Sequence, residues 1–190
     1  KKNSKNKNKI LFLLPTASYL AYANNRIGID VSDTELMCGR LIEINEHDLY
    51  LQEHPELGLS FYDLHSDGSP VFYSSKRRPI INFQPKNIGK LGGHPSNVWQ
   101  FNADTHITGW LDNFGYDFDV ITDQDLHLEG YDLIKNYSVI ITGTHPEYYS
   151  LNMIQAILNY TQNGGRLMYL GGNGFYWRIS FDQKSADIIE

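Results

Sequence analysis

Residues 138–150 read S-V-I-I-T-G-T-H-P-E-Y-Y-S, and this stretch decides the fold. Ser138, Val139, Ile140 and Ile141 form a short apolar run of the kind that makes a buried strand. Ser150 stands as the N-cap of a helix with Leu151, Ile154, Ile157 and Leu158 on its apolar face, spaced i, i+3, i+6 and i+7. Gly143 and Pro146 force a tight turn between the two. That turn holds His145 and Glu147, side chains suited to acid–base work or metal ligation. A strand-to-helix turn of an open α/β sheet is where such folds meet their ligands. A plainer reading stays open: Glu147 complements the positive end of the following helix, and His145 caps the turn.

Working outward, the same alternation recurs. Ile10 to Leu14 is a continuous apolar run, typical of a parallel strand covered on both faces, and it stops at Pro15. Trp99, Ala103, Ile107, Trp110, Leu111 and Phe114 predict one face of an amphipathic helix ending at Gly115. Phe118 to Ile121 reads as a strand, Asp125 to Ile134 as a short helical stretch, and Arg166 to Leu170 as a fourth strand after Gly164-Gly165. Strands alternating with helices give right-handed parallel crossovers, so the expected fold is α/β with a doubly wound, mostly parallel sheet. Its strand ends would present Thr16, Tyr19 and Tyr22, then Thr122 and Asp123, then His145 and Glu147, then Asn173.

Two stretches break the rhythm. Residues 31–58 mix strand and helix signals without a period and read as an insertion. Residues 59–85 carry the turn signal S-D-G-S-P and read as an irregular hairpin. Lys86 to Pro95 is a Gly-rich loop, but its Gly92-Gly93 lacks the strand, spacing and Lys-Ser/Thr of a phosphate-binding loop. The organisation expected is a basic tether at 1–9, an α/β domain at 10–178 with the excursion and hairpin at 31–95, and the start of a following segment at 179–190.

Composition narrows the class. The 190 residues suffice for one domain, or one plus part of a second. A formal charge of −6 argues against nucleic acid as a partner, and the one compact basic run, Lys76-Arg77-Arg78, reads as a solvated face. With 13 Tyr, many phenols must be part buried with their hydroxyls paired, so a phenol-lined pocket is easily built. A single cysteine, Cys38, excludes an intrachain disulfide and any zinc site needing two thiolates. It has no elbow or neighbouring His in sequence, and no G-x-S-x-G elbow exists for a serine nucleophile.

The amino terminus imitates a leader: basic Lys1 to Lys9, apolar I-L-F-L-L, then Ala21-Tyr22-Ala23. The brevity of the apolar run, its interruption by Pro15, Thr16 and Ser18, and the missing initial Met oppose that reading. A tether into the first strand of a segment of a longer, cytoplasmic protein is expected instead. No stretch approaches the roughly 20 apolar residues of a membrane helix, so no membrane partner is expected.

Several motifs carry a resemblance. P-T-A-S-Y-L-A-Y-A-N (15–24), S-F-Y-D-L-H-S-D-G (60–68), Y-S-S-K-R-R-P (73–79), W-Q-F-N-A-D (99–104), T-D-Q-D-L-H (122–127), T-G-T-H-P-E-Y-Y-S (142–150) and G-G-R-L-M-Y-L-G-G-N-G-F-Y-W (164–177) occur in an order similar to the large subunit of N,N-dimethylformamidases. The likeness runs from about Ile10 to Trp177. It implies a class I glutamine-amidotransferase-like (flavodoxin-like) α/β domain within a larger polypeptide. It also implies a mononuclear, ferric iron held by two tyrosine phenolates and one glutamate, hydrolysing a small amide, with a small partner subunit and a homo-oligomer in the whole protein.

Position by position, the resemblance makes Glu147 the carboxylate ligand, Tyr62 of S-F-Y-D one phenolate and Tyr22 of A-Y-A-N the other, with Tyr19 as rival. His145 and Asn173 of G-G-N-G fall at catalytic or supporting positions. Hard oxygen donors suit such an ion, and a Lewis acid suits an amide carbonyl, which is a poor electrophile. Alternatives remain beside each residue. A tyrosine is usually a core residue, Asn173 between glycines suits a left-handed backbone, and His65 and His106 read as surface or structural. For the whole chain the alternative to an amidohydrolase is a non-catalytic α/β binding or assembly module.

Overall fold

The computed structural model describes residues 9–26, 44–83 and 100–190. The strands are β1 (Ile10–Leu14), β2 (Ser74–Ser75), β3 (Phe118–Thr122), β4 (Val139–Thr142), β5 (Tyr148–Ser150), β6 (Arg166–Met168), β7 (Trp177–Ile179) and β8 (Ile188–Ile189). The helices are α1 (Thr16–Ala21), α2 (Glu46–Glu53), α3 (Gln100–Asn113), α4 (Asp123–Glu129), α5 (Tyr131–Ile134) and α6 (Leu151–Gln162), with a 3-10 turn at Pro55–Leu57. The chain folds as two compact units, Lys1–Ser18 with Ala103–Ser180, and Tyr19–Asn102 with Phe181–Glu190. Cys38, Trp99, the 86–95 loop and much of the 31–58 excursion lie outside the described residues.

The first unit is built on a four-stranded sheet in the order β3-β1-β4-β6, every neighbouring pair parallel. The architecture is therefore α/β around a mostly parallel sheet, with β1 buried between β3 and β4. Continuous apolar β1 follows from that place: Leu11, Phe12 and Leu13 have no polar face to show. Phe12, Leu111 of α3 and Ile141 form a core cluster, flanked by Ile10, Leu14, Ile107, Phe118 and Val139.

Helix periodicity needs correction in two places. Ser150 caps α6 through the Met153 amide, but the buried face is Met153, Ala156, Ile157 and Tyr160; Leu151 and Leu158 stand exposed. The apolar stripe is rotated because Tyr160 packs its ring onto Gly165, where any Cβ would collide with it, and points its hydroxyl at the Tyr137 carbonyl. On α3, Ala103 and Leu111 are buried as expected, whereas Trp110 and Phe114 are exposed, Trp110 stacking on Tyr116 and lying tilted against Phe114.

Boundaries also shift. The 125–134 stretch is two helices, because Gly130 at φ +62 ends α4, and Thr122 with Asp125 forms a capping box that starts it at Asp123. The fourth strand is only Arg166–Met168. The strands β5, β7 and β8 had no sequence signal; β5 follows the H-P-E turn and pairs in parallel with β7 as a separate two-stranded sheet.

In the second unit the S-D-G-S-P turn is closed by Asp67, which accepts from the amide and hydroxyl of Ser69, with a Leu64–Pro70 bridge across it. Regular structure is sparse there. β2 pairs antiparallel with β8, and most of the order comes from side chains bonded to backbone. Among the described residues no helix is long and apolar enough to cross a membrane.

Candidate functional site

In the first unit the T-G-T-H-P-E turn leaves the carboxyl end of β4 under tight restraint. Gly143 carries no Cβ because one would strike Pro15 and come within 2.8 Å of Asp104 Oδ1. That Asp104 oxygen accepts the Thr144 amide at 2.6 Å, and Ser18 Oγ accepts the Glu147 amide at 3.0 Å. Both side chains are wholly buried. The turn is thus held from α1 and α3 through its own N–H groups, as buried backbone donors require.

The G-G-N-G-F-Y-W segment is laced onto the turn. The amides of Gly172, Phe175, Tyr176 and Trp177 donate to the carbonyls of Thr144, Pro146, Glu147 and Glu147 respectively. Gly171 lies so close to Pro146 that a Cβ there would collide with its ring. This lacing carries Asn173 to the acid: its Nδ2 lies 3.4 Å from Glu147 Oε1. The other carboxylate oxygen, Oε2, is 2.9 Å from His145 Nε2. His145 is 7% exposed and Glu147 3%, so the contact is a desolvated one. Asn173 is itself at φ +52, so the left-handed backbone and the contact to Glu147 occur together.

A second polar group lies beneath. Asp123 is fully buried and accepts the Ala17 amide on Oδ2, while its Oδ1, Thr144 Oγ1 and Tyr149 OH have no hydrogen-bond partner among the described residues. Burial, reinforced by the Asp104 charge, pushes the Asp123 carboxyl well above the usual range, and burial does the same to the Tyr149 phenol.

In the second unit Tyr22 and Tyr62, 40 residues apart, meet. Their hydroxyls are 2.7 Å apart and the rings stack at 4.3 Å and 18°. The Phe61 amide donates to the Ala21 carbonyl at 2.9 Å, and Asn82 Nδ2 donates to the Tyr22 carbonyl at 2.9 Å. Tyr19 packs elsewhere, against Phe83 and Phe101. His65 and His106 are exposed.

The expected site residues thus fall into two sets: Tyr22 with Tyr62, and Glu147 with His145 and Asn173. Among the described residues no group of three or more His, Cys, Asp or Glu is placed to hold a metal ion. Sequence reading passed over Ser18 and Asp104. The signal for Asp104 was present, an acid beside Ala103 on the inward side of an amphipathic helix.

The model of the family described as N,N-dimethylformamidase beta subunit-like, C-terminal, matches residues 2–189. The chain belongs to this family. It is 41% identical over 183 residues to the N,N-dimethylformamidase beta subunit of Paracoccus aminophilus, covering 96% of this chain and 24% of that protein. It is 38% identical over 182 residues to the N,N-dimethylformamidase beta subunit of an Alcaligenes species, covering 95% of this chain and 23% of that protein. This member of the dimethylformamidase beta-subunit-like family therefore spans about a quarter of the length of the curated relatives it matches.

Proposed function

We propose that this chain is the metal-binding part of an amidohydrolase that cleaves a small, linear, N,N-dimethylformamide-like amide. In this reading Tyr22, Tyr62 and Glu147 hold a mononuclear ferric ion, within a polypeptide that works with a second, smaller subunit. The observation that carries it is the 2.7 Å meeting of the Tyr22 and Tyr62 hydroxyls. Two phenol oxygens that close, with their rings stacked, form a ready pair of hard donors. The buried carboxylate of Glu147 is a third donor of the same chemistry. Phenols with an unperturbed pKa of about 10 would be ionised at neutral pH only with the ion in place. When bound, such an ion supplies Lewis acidity to the amide carbonyl and lowers the pKa of water.

The chain's own residues do the rest. His145 and Asn173 grip the two oxygens of Glu147 and fix the carboxylate's orientation. His145, its Nε2 2.9 Å from Glu147 Oε2, is the imidazole that delivers a proton to the departing amine. The second hydrogen of Asn173 Nδ2 can meet the oxygen on which negative charge develops.

The test is metal analysis and visible absorption of the purified protein, with an assay against N,N-dimethylformamide in the whole polypeptide and its partner. Tyr62→Phe and Glu147→Ala are expected to lose both iron and the phenolate-to-iron band. Stoichiometric iron in either variant would overturn the ligand assignment. A wild-type whole polypeptide without iron would leave a non-catalytic binding module.

A further inference from the structure

Arg78 belongs to the K-R-R run that reads as a solvated face, and its two neighbours do behave that way. Lys76 and Arg77 pair with Asp187 while keeping 45% and 62% of their side-chain surface exposed. Arg78 turns inward. Its Nη2 donates to the carbonyls of Ala23 and Leu59 at 3.1 and 2.9 Å and to Ser74 Oγ at 3.0 Å. Its Nη1 reaches the Leu57 carbonyl at 3.0 Å and its Nε the Ser75 carbonyl at 3.3 Å. Gly58 makes room: at φ +79, a Cβ there would lie 2.5 Å from Arg78 Nη1. A cation donating to several neutral carbonyls holds separate backbone segments in one plane, which a lysine ammonium cannot reproduce.

The segments it joins are those that present the two phenols. Ala23 follows Tyr22, and Leu57 and Leu59 lead into the Ser60 turn from which Tyr62 projects. Asn24 works alongside: its Nδ2 donates to the Leu57 and Pro79 carbonyls, and its Oδ1 accepts the Ile81 amide. We propose that Arg78 is a positioning residue that sets the spacing of the Tyr22 and Tyr62 hydroxyls by clamping the 21–24 and 57–62 segments together. Its bearing on metal rests on the ferric reading above. Its bearing on the phenol pair does not.

The experiment compares wild type, Arg78→Lys, Arg78→Ala and Arg77→Ala, in two arms. The metal-free arm follows native-state hydrogen exchange of the Phe61 amide, whose acceptor is the Ala21 carbonyl, with the Ile140 and Ile141 amides of β4 reporting the sheet. Both Arg78 variants should lose about tenfold or more of Phe61 protection with β4 unchanged, and Arg77→Ala should match wild type. The second arm titrates ferric nitrilotriacetate and records the phenolate-to-iron band. Arg78→Lys should bind at least about tenfold more weakly with a displaced or weakened band, and millimolar guanidinium should restore Arg78→Ala.

Unchanged Phe61 protection overturns the proposal, and so does an unchanged band in Arg78→Lys where wild type shows one. Loss of β4 protection in both variants also overturns it, by making Arg78 general scaffold. Loss of Phe61 protection with no band in wild type upholds Arg78 as the clamp and removes the ferric reading.

Discussion

The hydroxyl of Tyr22 donates to that of Tyr62 at 2.7 Å, while Tyr19, three residues earlier, packs its ring 5.2 Å from Phe83 and 6.2 Å from Phe101. The two candidates for the second phenolate are separated by that difference in surroundings. Tyr22→Phe should abolish the phenolate-to-iron band, because it removes one oxygen of the pair. Tyr19→Phe keeps the aromatic packing and should retain the band and full iron stoichiometry. A band that survives Tyr22→Phe and vanishes in Tyr19→Phe would reverse the assignment.

Asn173 combines a left-handed backbone with a side chain at Glu147, and two substitutions separate these. Asn173→Gly keeps the conformation and deletes the amide. It should leave the unfolding midpoint nearly unchanged and lower kcat by about 10²–10³, with a smaller change in KM. Asn173→Ala deletes both and should cost an additional ~1–2 kcal/mol of stability. Wild-type kcat in the glycine variant would reduce Asn173 to a backbone requirement.

Asp104 receives the Thr144 amide at 2.6 Å, at a point where Gly143 cannot carry a side chain. Asp104→Ala strands that buried N–H and should destabilise the protein by about 1–3 kcal/mol in denaturant unfolding. Asp104→Asn keeps an acceptor oxygen and should recover most of the loss. Equal destabilisation by both would show that the charge, rather than the acceptor, matters.

The parallel sheet was legible because β1 and β4 are continuous apolar runs ended by Pro15 and Gly143 and β3 stops at the Thr122 cap, and those local signals agree with one another. The rotation of the α6 stripe was not legible, since Leu151 and Leu158 have the right spacing and only the Tyr160–Gly165 contact decides which face turns in. β5 was hidden because a strand of three residues has no measurable period. In the site, His145, Glu147 and Asn173 announced themselves by turn chemistry at strand ends. Tyr22 and Tyr62 were two among 13 tyrosines, distinguished by resemblance alone. Arg78 was misread because composition cannot tell a solvated cation from one turned onto backbone carbonyls.

Asp123 gives the stability of the first unit a defined pH dependence. Burial raises its carboxyl pKa well above the ordinary range and the Asp104 charge adds to the effect, while the hydrogen bond from the Ala17 amide acts in the opposite sense. The folded chain therefore holds a proton on Asp123 at pH values where the unfolded chain, with a carboxyl pKa of about 3.9, has released it. The contribution of this residue is fully present below that value and is lost as pH rises toward the folded pKa. Asp123→Asn keeps an oxygen for the Ala17 amide and carries no charge to desolvate. Wild type and variant should unfold at similar denaturant concentrations near pH 4, and the variant should become progressively the more stable of the two between pH 5 and 8. A constant gap across that range would mean that Asp123 is ionised in the folded protein, its charge balanced by a cation or proton donor near Oδ1.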